Sequence, residues 1–311
     1  MKNLPLSNPA FKYLEQSFGE WLDILGYAAT TVRSFPVYVR EFLYYLEQQG
    51  HLSIRDIDIP VIKIYYRELS QRANKRRGGG LSNSYLNTHI NALNKLLEYL
   101  RTQARVMLPT SGIRSETPQP EPIAPLTPKQ IKSLYEATKT YEEERPEMAL
   151  LDRAVLAIYY DCGLRRNEGI GLDLSDVDFD RRLLRVRKGK GGKARIVPFS
   201  KTTSQYLQDY RYEGRSYFIK RNTEDAFLLS IRWGNRSCGN TLNKRLKYMQ
   251  AQAEDATLQQ SHLHLHILRH SIATHLLYQG MELERVAQFL GHRSLNSTQI
   301  YTHLVEEVYG T

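Results

Sequence analysis

Five prolines crowd the stretch from residue 107 to residue 125: Pro109, Pro118, Pro120, Pro122 and Pro125, with few apolar residues between them. Proline fixes φ and donates no backbone hydrogen bond, so this stretch can extend neither a helix nor a central strand. It therefore reads as a linker, and 311 residues suit two domains on either side of it. The expected limits are 1–106 for a first domain, 107–123 for the linker and 124–311 for a second domain. The second domain opens on a clean helix start. Thr127 is an N-cap, Pro128 suits the first helical position, and Gln130 completes a capping box.

Residues 8–106 carry apolar stripes at helical spacing. One runs through Phe11, Leu14, Phe18, Trp21, Leu22 and Leu25. A second runs through Val32, Phe35, Val39, Phe42, Leu43 and Leu46 to Gly50, with Pro36 as a candidate kink. A third helix starts near Pro60 and carries Ile64 and Leu69. A fourth starts near Asn83 and carries Leu86, Ile90, Leu93, Leu97 and Leu100. Four helices with short connections read as a small bundle. In the second domain an apolar helix, Leu151 to Tyr160, closes at Gly163. The period changes over residues 177–198, where Leu183, Leu184 and Val186, then Ile196 and Val197, are strand-like around the glycines at 189, 191 and 192. Helices resume near 202–213, 240–254, 267–278 and 282–290. The fold class is mainly α with a small antiparallel β-sheet.

Charge narrows the partner. The net charge is +10, and residues 1–110 carry 14 basic against 9 acidic side chains, so each part of the chain holds +5. A polyanion fits this balance, and so does an ordinary basic surface. Lys75, Arg76 and Arg77, followed by three glycines, form either a phosphate-touching loop or a solvated one. Residues 181–195 hold eight cations, among them Arg187, Lys188, Lys190, Lys193 and Arg195, and no acid. Such a ribbon repels itself unless an anion lies across it. Two cysteines without a CxxC pair give no disulfide framework and no thiolate zinc site. Seven of nine histidines fall between 262 and 303, but without an HExxH motif, and no metal or other cofactor is expected. There is no apolar h-region in residues 1–20 and no run long enough to span a bilayer, so the expected place is the cytoplasm of a bacterial cell, beside its DNA.

Six residues carry the chemistry. They are Arg165 in GLRRNE, Lys190 in RKGKGGKARIVP, His266 and Arg269 in HILRH, His292 in LGHRS and Tyr301 in IYTH. A tyrosine supplies a nucleophilic oxygen, arginines neutralise a phosphorane, and a lysine and histidines move protons. Each alone is weak. An arginine placed like Arg165 more often pairs with a nearby acid such as Glu168, His266 can merely cap or pack, and Tyr301 is one of 21 tyrosines. The ordered set is what signifies.

That set resembles the catalytic domain of the tyrosine recombinases, the family of phage integrases and Xer-type site-specific recombinases. GLRRNE, GKGGKARIVP, HILRHSIATHLL and LGHRSLNSTQIYTH carry the resemblance, which covers nearly the whole chain. It implies a helical, SAM-like core-binding domain ahead of the catalytic domain, the two clamping duplex DNA. It implies Tyr301 as nucleophile and a 3′-phosphotyrosyl intermediate needing neither ATP nor metal. It casts Arg165 and Arg269 on the non-bridging oxygens, with His292 beside them, His266 as proton acceptor, Lys190 as the acid and Glu168 as an orienting residue. Self-assembly on DNA into a tetrameric synapse follows from it, with a partner recombinase or an accessory protein left open, as is the choice between dimer resolution and a mobile element. Asn167-Glu168-Gly169 departs from the family's small-residue, Glu, Leu run, and only ten residues follow Tyr301. A type IB topoisomerase, which generally has lysine where this chain has His266, and an inactive DNA-binding relative are the alternatives.

Overall fold

The computed structural model describes residues 4–74, 78–103, 124–187, 194–220 and 225–291. The proline-rich stretch 107–123, the basic residues Lys75, Arg76, Arg77, Lys188 and Lys193, and three of the six chemical residues (Lys190, His292 and Tyr301) lie outside them. The chain divides into two compact units, Met1–Glu121 and Pro122–Thr311. Each has its own apolar core.

The first unit holds helices α1 (Pro9–Ile24), α2 (Ala29–Gln48), α3 (Ile59–Gln71) and α4 (Asn83–Gln103). Asn8 caps α1 by accepting from the Ala10 amide, and Asp58 caps α3 by accepting from Val61. Phe11, Leu14, Phe18 and Leu22 of α1 meet Val39, Phe42, Leu43 and Leu46 of α2 in one core with Leu93, Leu97 and Leu100 of α4. Helix α2 runs on through Pro36. Gly19 makes room for it, since a Cβ there would lie 3.3 Å from the Pro36 ring. Two expected core residues are not core. Leu25 falls just past the end of α1, and Ile64 lies on the outer face of α3, both largely exposed. Ile62, Tyr65 and Leu69 form the inward stripe of α3 instead.

In the second unit α5 (Pro128–Ala137) begins at a capping box in which the Thr127 hydroxyl and the Gln130 side chain satisfy each other's backbone amides. Next comes α6 (Pro146–Leu156), which starts five residues earlier than its apolar run and ends in a π-turn, Ala157–Asp161. A short α7 (Arg166–Ile170) follows. The sheet has three antiparallel strands in the order β1 (Val177–Asp178), β2 (Leu183–Val186), β3 (Arg195–Pro198), with Leu184 opposite both Val177 and Val197. Then come α8 (Lys201–Asp209), α9 (Gly239–Gln252), α10 (Ala256–Gln260), α11 (Leu265–Tyr278) and α12 (Leu283–Leu290). Val155, Tyr159, Leu184, Val197, Leu207, Leu246 and Leu268 bring helices and sheet into a common core, and Val286 and Leu290 seat α12 on Ala273 of α11. The departure at Gly169 has a packing reason. A Cβ there would lie 2.6 Å from the Tyr159 ring, which fills that space and donates its hydroxyl to the Arg166 carbonyl. No helix among the described residues is long and apolar enough to cross a membrane.

Candidate active site

Glu168 is the centre of the site. It stands at the third position of α7, where its carboxylate accepts from the Arg165 amide at 2.9 Å and caps the helix. Arg165 adds its own Nη1 at 2.8 Å. From β3, Arg195 donates Nη1 to Oε1 at 2.9 Å and Nη2 to Oε2 at 2.8 Å. Arg269 of α11 brings Nη1 to 4.0 Å from Oε2. Burial by itself would raise the Glu168 carboxyl. Hydrogen bonds and charge from Arg195, then the backbone and side chain of Arg165, outweigh it and hold the pKa at about 2. Three guanidinium groups thus surround one carboxylate, an excess of two positive charges set in place before any substrate arrives.

The same three arginines bind the end of α12. Arg195 Nε donates to the Phe289 carbonyl at 3.2 Å, Arg269 Nη2 to Leu290 at 2.7 Å and Arg165 Nη2 to Gly291 at 2.9 Å. These are the carbonyls a helix leaves unpaired at its negative end, where cations are most favourable. Two glycines permit the arrangement. Gly163, at φ +59, ends the preceding turn and offers its carbonyl to Arg269, and a Cβ on it would press within 3.0 Å of Leu290. Gly291, at φ +68, closes α12, and a Cβ there would lie 2.8 Å from Arg195 Cδ.

His266 lies in the first turn of α11, three residues before Arg269, with its ring edge-on to His270 at 4.5 Å between centroids. Arg269 points inward and is buried, while His266 stays at the exposed rim. Burial lowers the His266 pKa first, and Arg269, His264 and Arg165 lower it further. A histidine so placed is neutral near pH 7 and free to accept a proton. Among the described residues no three His, Cys, Asp or Glu side chains are grouped to hold a metal ion. His275 has structural ties: it meets the Leu126 carbonyl at 2.8 Å and the Tyr160 hydroxyl at 2.9 Å.

The basic ribbon differs from its expected form. Arg187 and Arg195 were placed on a DNA backbone by sequence, yet both are engaged within the protein. Arg187 pairs with Asp173 at 2.6 Å and Asp176 at 2.9 Å and donates to the Gly171 carbonyl, and Arg185 also faces Asp176. Residues 181–195 hold no acid, but the fold brings acids from residues 168, 173 and 176 against them. For Arg195 a signal was present. Strand period places residue 195 on the same face as buried Val197, opposite exposed Ile196. The three carbonyls of α12 carried no such signal, because backbone acceptors leave no mark in sequence.

Residues 125–307, more than half of the chain, match the phage integrase family. The chain is 34% identical to tyrosine recombinase XerC 2 of Ralstonia nicotianae over 94% of its own length and 82% of that protein. It is 32% identical to tyrosine recombinase XerA of Thermococcus kodakarensis, over 94% of this chain and 91% of that one. In fold it is similar to the XerH site-specific recombinase bound to a difH substrate before cleavage, with a TM-score of 0.70, 22% identity, and 96% of this chain and 83% of that one covered. It is also similar to a lambda integrase tetramer bound to a Holliday junction, with a TM-score of 0.64, 14% identity, and 93% and 76% covered. The order of parts and the arginine-bound carboxylate therefore sit in a known lineage: the chain belongs to the phage integrase family of tyrosine recombinases.

Proposed function

We propose that this site-specific recombinase cleaves one strand of a duplex by attack of the Tyr301 phenol oxygen on a scissile phosphate. The Tyr301 O–P bond forms, the P–O5′ bond breaks, and a 3′-phosphotyrosyl link and a free 5′-hydroxyl remain. A 5′-hydroxyl from a second duplex reverses the step. One phosphodiester replaces another, so no ATP is consumed. The observation that carries this reading is the cluster of Arg165, Arg195 and Arg269 about Glu168, a preset positive field where an extra negative charge develops in the phosphorane. Arg165 and Arg269 serve the non-bridging oxygens, with His292 adding a hydrogen bond. His266 takes the phenol proton, consistent with its lowered pKa. Lys190 gives a proton to the departing 5′-oxygen. The excess guanidinium charge fills the electrostatic role that metal ions take in other phosphoryl-transfer sites.

The partner is duplex DNA carrying a recombination site, and the synapse is a tetramer. Solved relatives of the same fold are complexes with a difH substrate and, for lambda integrase, a tetramer on a Holliday junction. The place of action is the bacterial cytoplasm, on the nucleoid.

The test uses duplexes that the protein itself selects from a random-sequence pool, nicked near the cleavage point so that the cut is trapped. Wild type forms an adduct that survives denaturing electrophoresis, and Tyr301→Phe binds the same duplex but forms none. An adduct in that variant moves the role to another tyrosine, Tyr278 first, which is exposed at the end of α11.

A further inference from the structure

We propose that Arg195 is a positioning residue for strand cleavage: it locks Glu168, and through it the Arg165 guanidinium, while anchoring the end of the helix that leads to His292. The inference rests on the recombinase reading above and deepens it.

A carboxylate offers about four acceptor directions. On Glu168 all four are taken, two by Arg165 and two by Arg195. The two arginines come from different elements, Arg165 from the N-terminus of α7 and Arg195 from β3. Without the fork of Arg195, the carboxylate can rotate about its last bonds, and the Arg165 side chain then has no fixed partner on its acidic side. The third nitrogen of Arg195 reaches the Phe289 carbonyl, two residues before Gly291, and Gly291 accepts from Arg165 itself. One side chain thus ties Glu168 to the last turn of α12. Lysine cannot replace it, having no planar fork and no third donor in that plane. Arg195 has its fork committed to Glu168. Its side chain is 11% exposed, and all three of its nitrogens are bonded within the protein.

The experiment compares wild type, Arg195→Ala, Arg195→Lys, Glu168→Gln and the double variant Arg195→Ala/Glu168→Gln on the nicked duplex selected above, with melting curves to identify folded variants. The cleavage rate of saturated DNA is expected to fall roughly 10²-fold in Arg195→Ala, the scale of a small misplacement of a reacting group. DNA affinity and its salt dependence stay within twofold of wild type. Arg195→Lys recovers less than half of the loss in logarithmic rate, and it carries the test if Arg195→Ala does not fold. The double variant is no slower than the slower single variant, because both act through one contact. Guanidinium ion added to Arg195→Ala raises its rate but leaves Lys190→Ala unchanged. A wild-type cleavage rate in the folded Arg195 variants overturns the proposal. So does a loss confined to affinity, with a smaller salt slope, since that marks a phosphate contact. Losses that simply multiply in the double variant overturn it as well. If wild type itself forms no adduct, the recombinase reading has failed; if wild type reacts and the Arg195 variants react equally, only this inference has.

Discussion

Two ionisable residues, His266 of the site and Asp161 of the π-turn after α6, respond to pH in opposite senses. His266 has a lowered pKa, so the unfolded chain binds its proton more tightly than the folded one. Acidification below the ordinary value of 6.5 therefore costs stability, and it also removes the proton acceptor proposed for Tyr301. The cleavage rate on bound DNA should therefore drop to half of its pH 8 value only below pH 6.5. A rate that halves by pH 7.5 on bound DNA would deny His266 that role. Asp161 behaves in reverse. Burial raises its pKa to about 6, although the Thr203 and Tyr135 hydroxyls donate to it at 2.8 and 3.1 Å. The fold favours its protonated form, so its contribution is full below the unfolded value and is lost as pH rises through 6. Asp161→Asn should therefore raise stability at pH 7.5 by about 1–3 kcal/mol, with the gain vanishing toward pH 4. Urea unfolding at the two pH values measures this. An equal change at both would mean that packing, and not charge, decides.

At the scale of elements, α12 depends on what its last turn presents to the arginines. Gly291→Ala adds a methyl group at φ +68 and 2.8 Å from Arg195 Cδ, so it strains the backbone and displaces the side chain at once. It should destabilise the second unit by about 1–3 kcal/mol and lower cleavage together with Arg195→Ala. Thermal melting and adduct formation check both; an unchanged rate would show that the carbonyl clamp has no bearing on the chemistry. How much of these elements sequence revealed follows from physical range. The α5 start was legible because a capping box is a contact between residues three apart. The stripes of α1, α2 and α4 were legible because one face of each is buried. Ile64 misled because α3 buries Tyr65 and leaves Ile64 outside, and composition does not tell an aromatic core face from an aliphatic one. The two-residue β1 is too short to show a period, and the π-turn after α6 has no residue signature. The site was legible as an ordered set of residue types. Its geometry was not, since Arg195 meets the Phe289 carbonyl across 94 residues of chain and Arg165 meets that of Gly291 across 126.

At the scale of the whole molecule, the 43 lysines and arginines overstate how many cations are available to DNA phosphates. Arg187 and Arg195 lie against Asp173, Asp176 and Glu168 and against backbone carbonyls, so binding a phosphate would first require breaking those contacts. Lys75, Arg76 and Arg77 stand in a run whose nearest acid in sequence is Glu68, and we propose that they touch the DNA backbone. The consequence is selective. Affinity for the selected duplex should fall steeply with salt, with a log–log slope of roughly −0.9 for each phosphate neutralised. Replacing Lys75, Arg76 and Arg77 together with alanine should flatten that slope by about 2 to 3. Arg187→Ala and Arg195→Ala should leave it unchanged, although they sit in the more basic stretch of sequence. Fluorescence anisotropy between 50 and 200 mM salt separates the cases, because a lost phosphate contact changes the slope while a lost internal ion pair shifts only the intercept. A slope that flattens by one unit in Arg195→Ala, with no change in the triple variant, would place the DNA on the β2–β3 ribbon and return the loop at 75–77 to solvent.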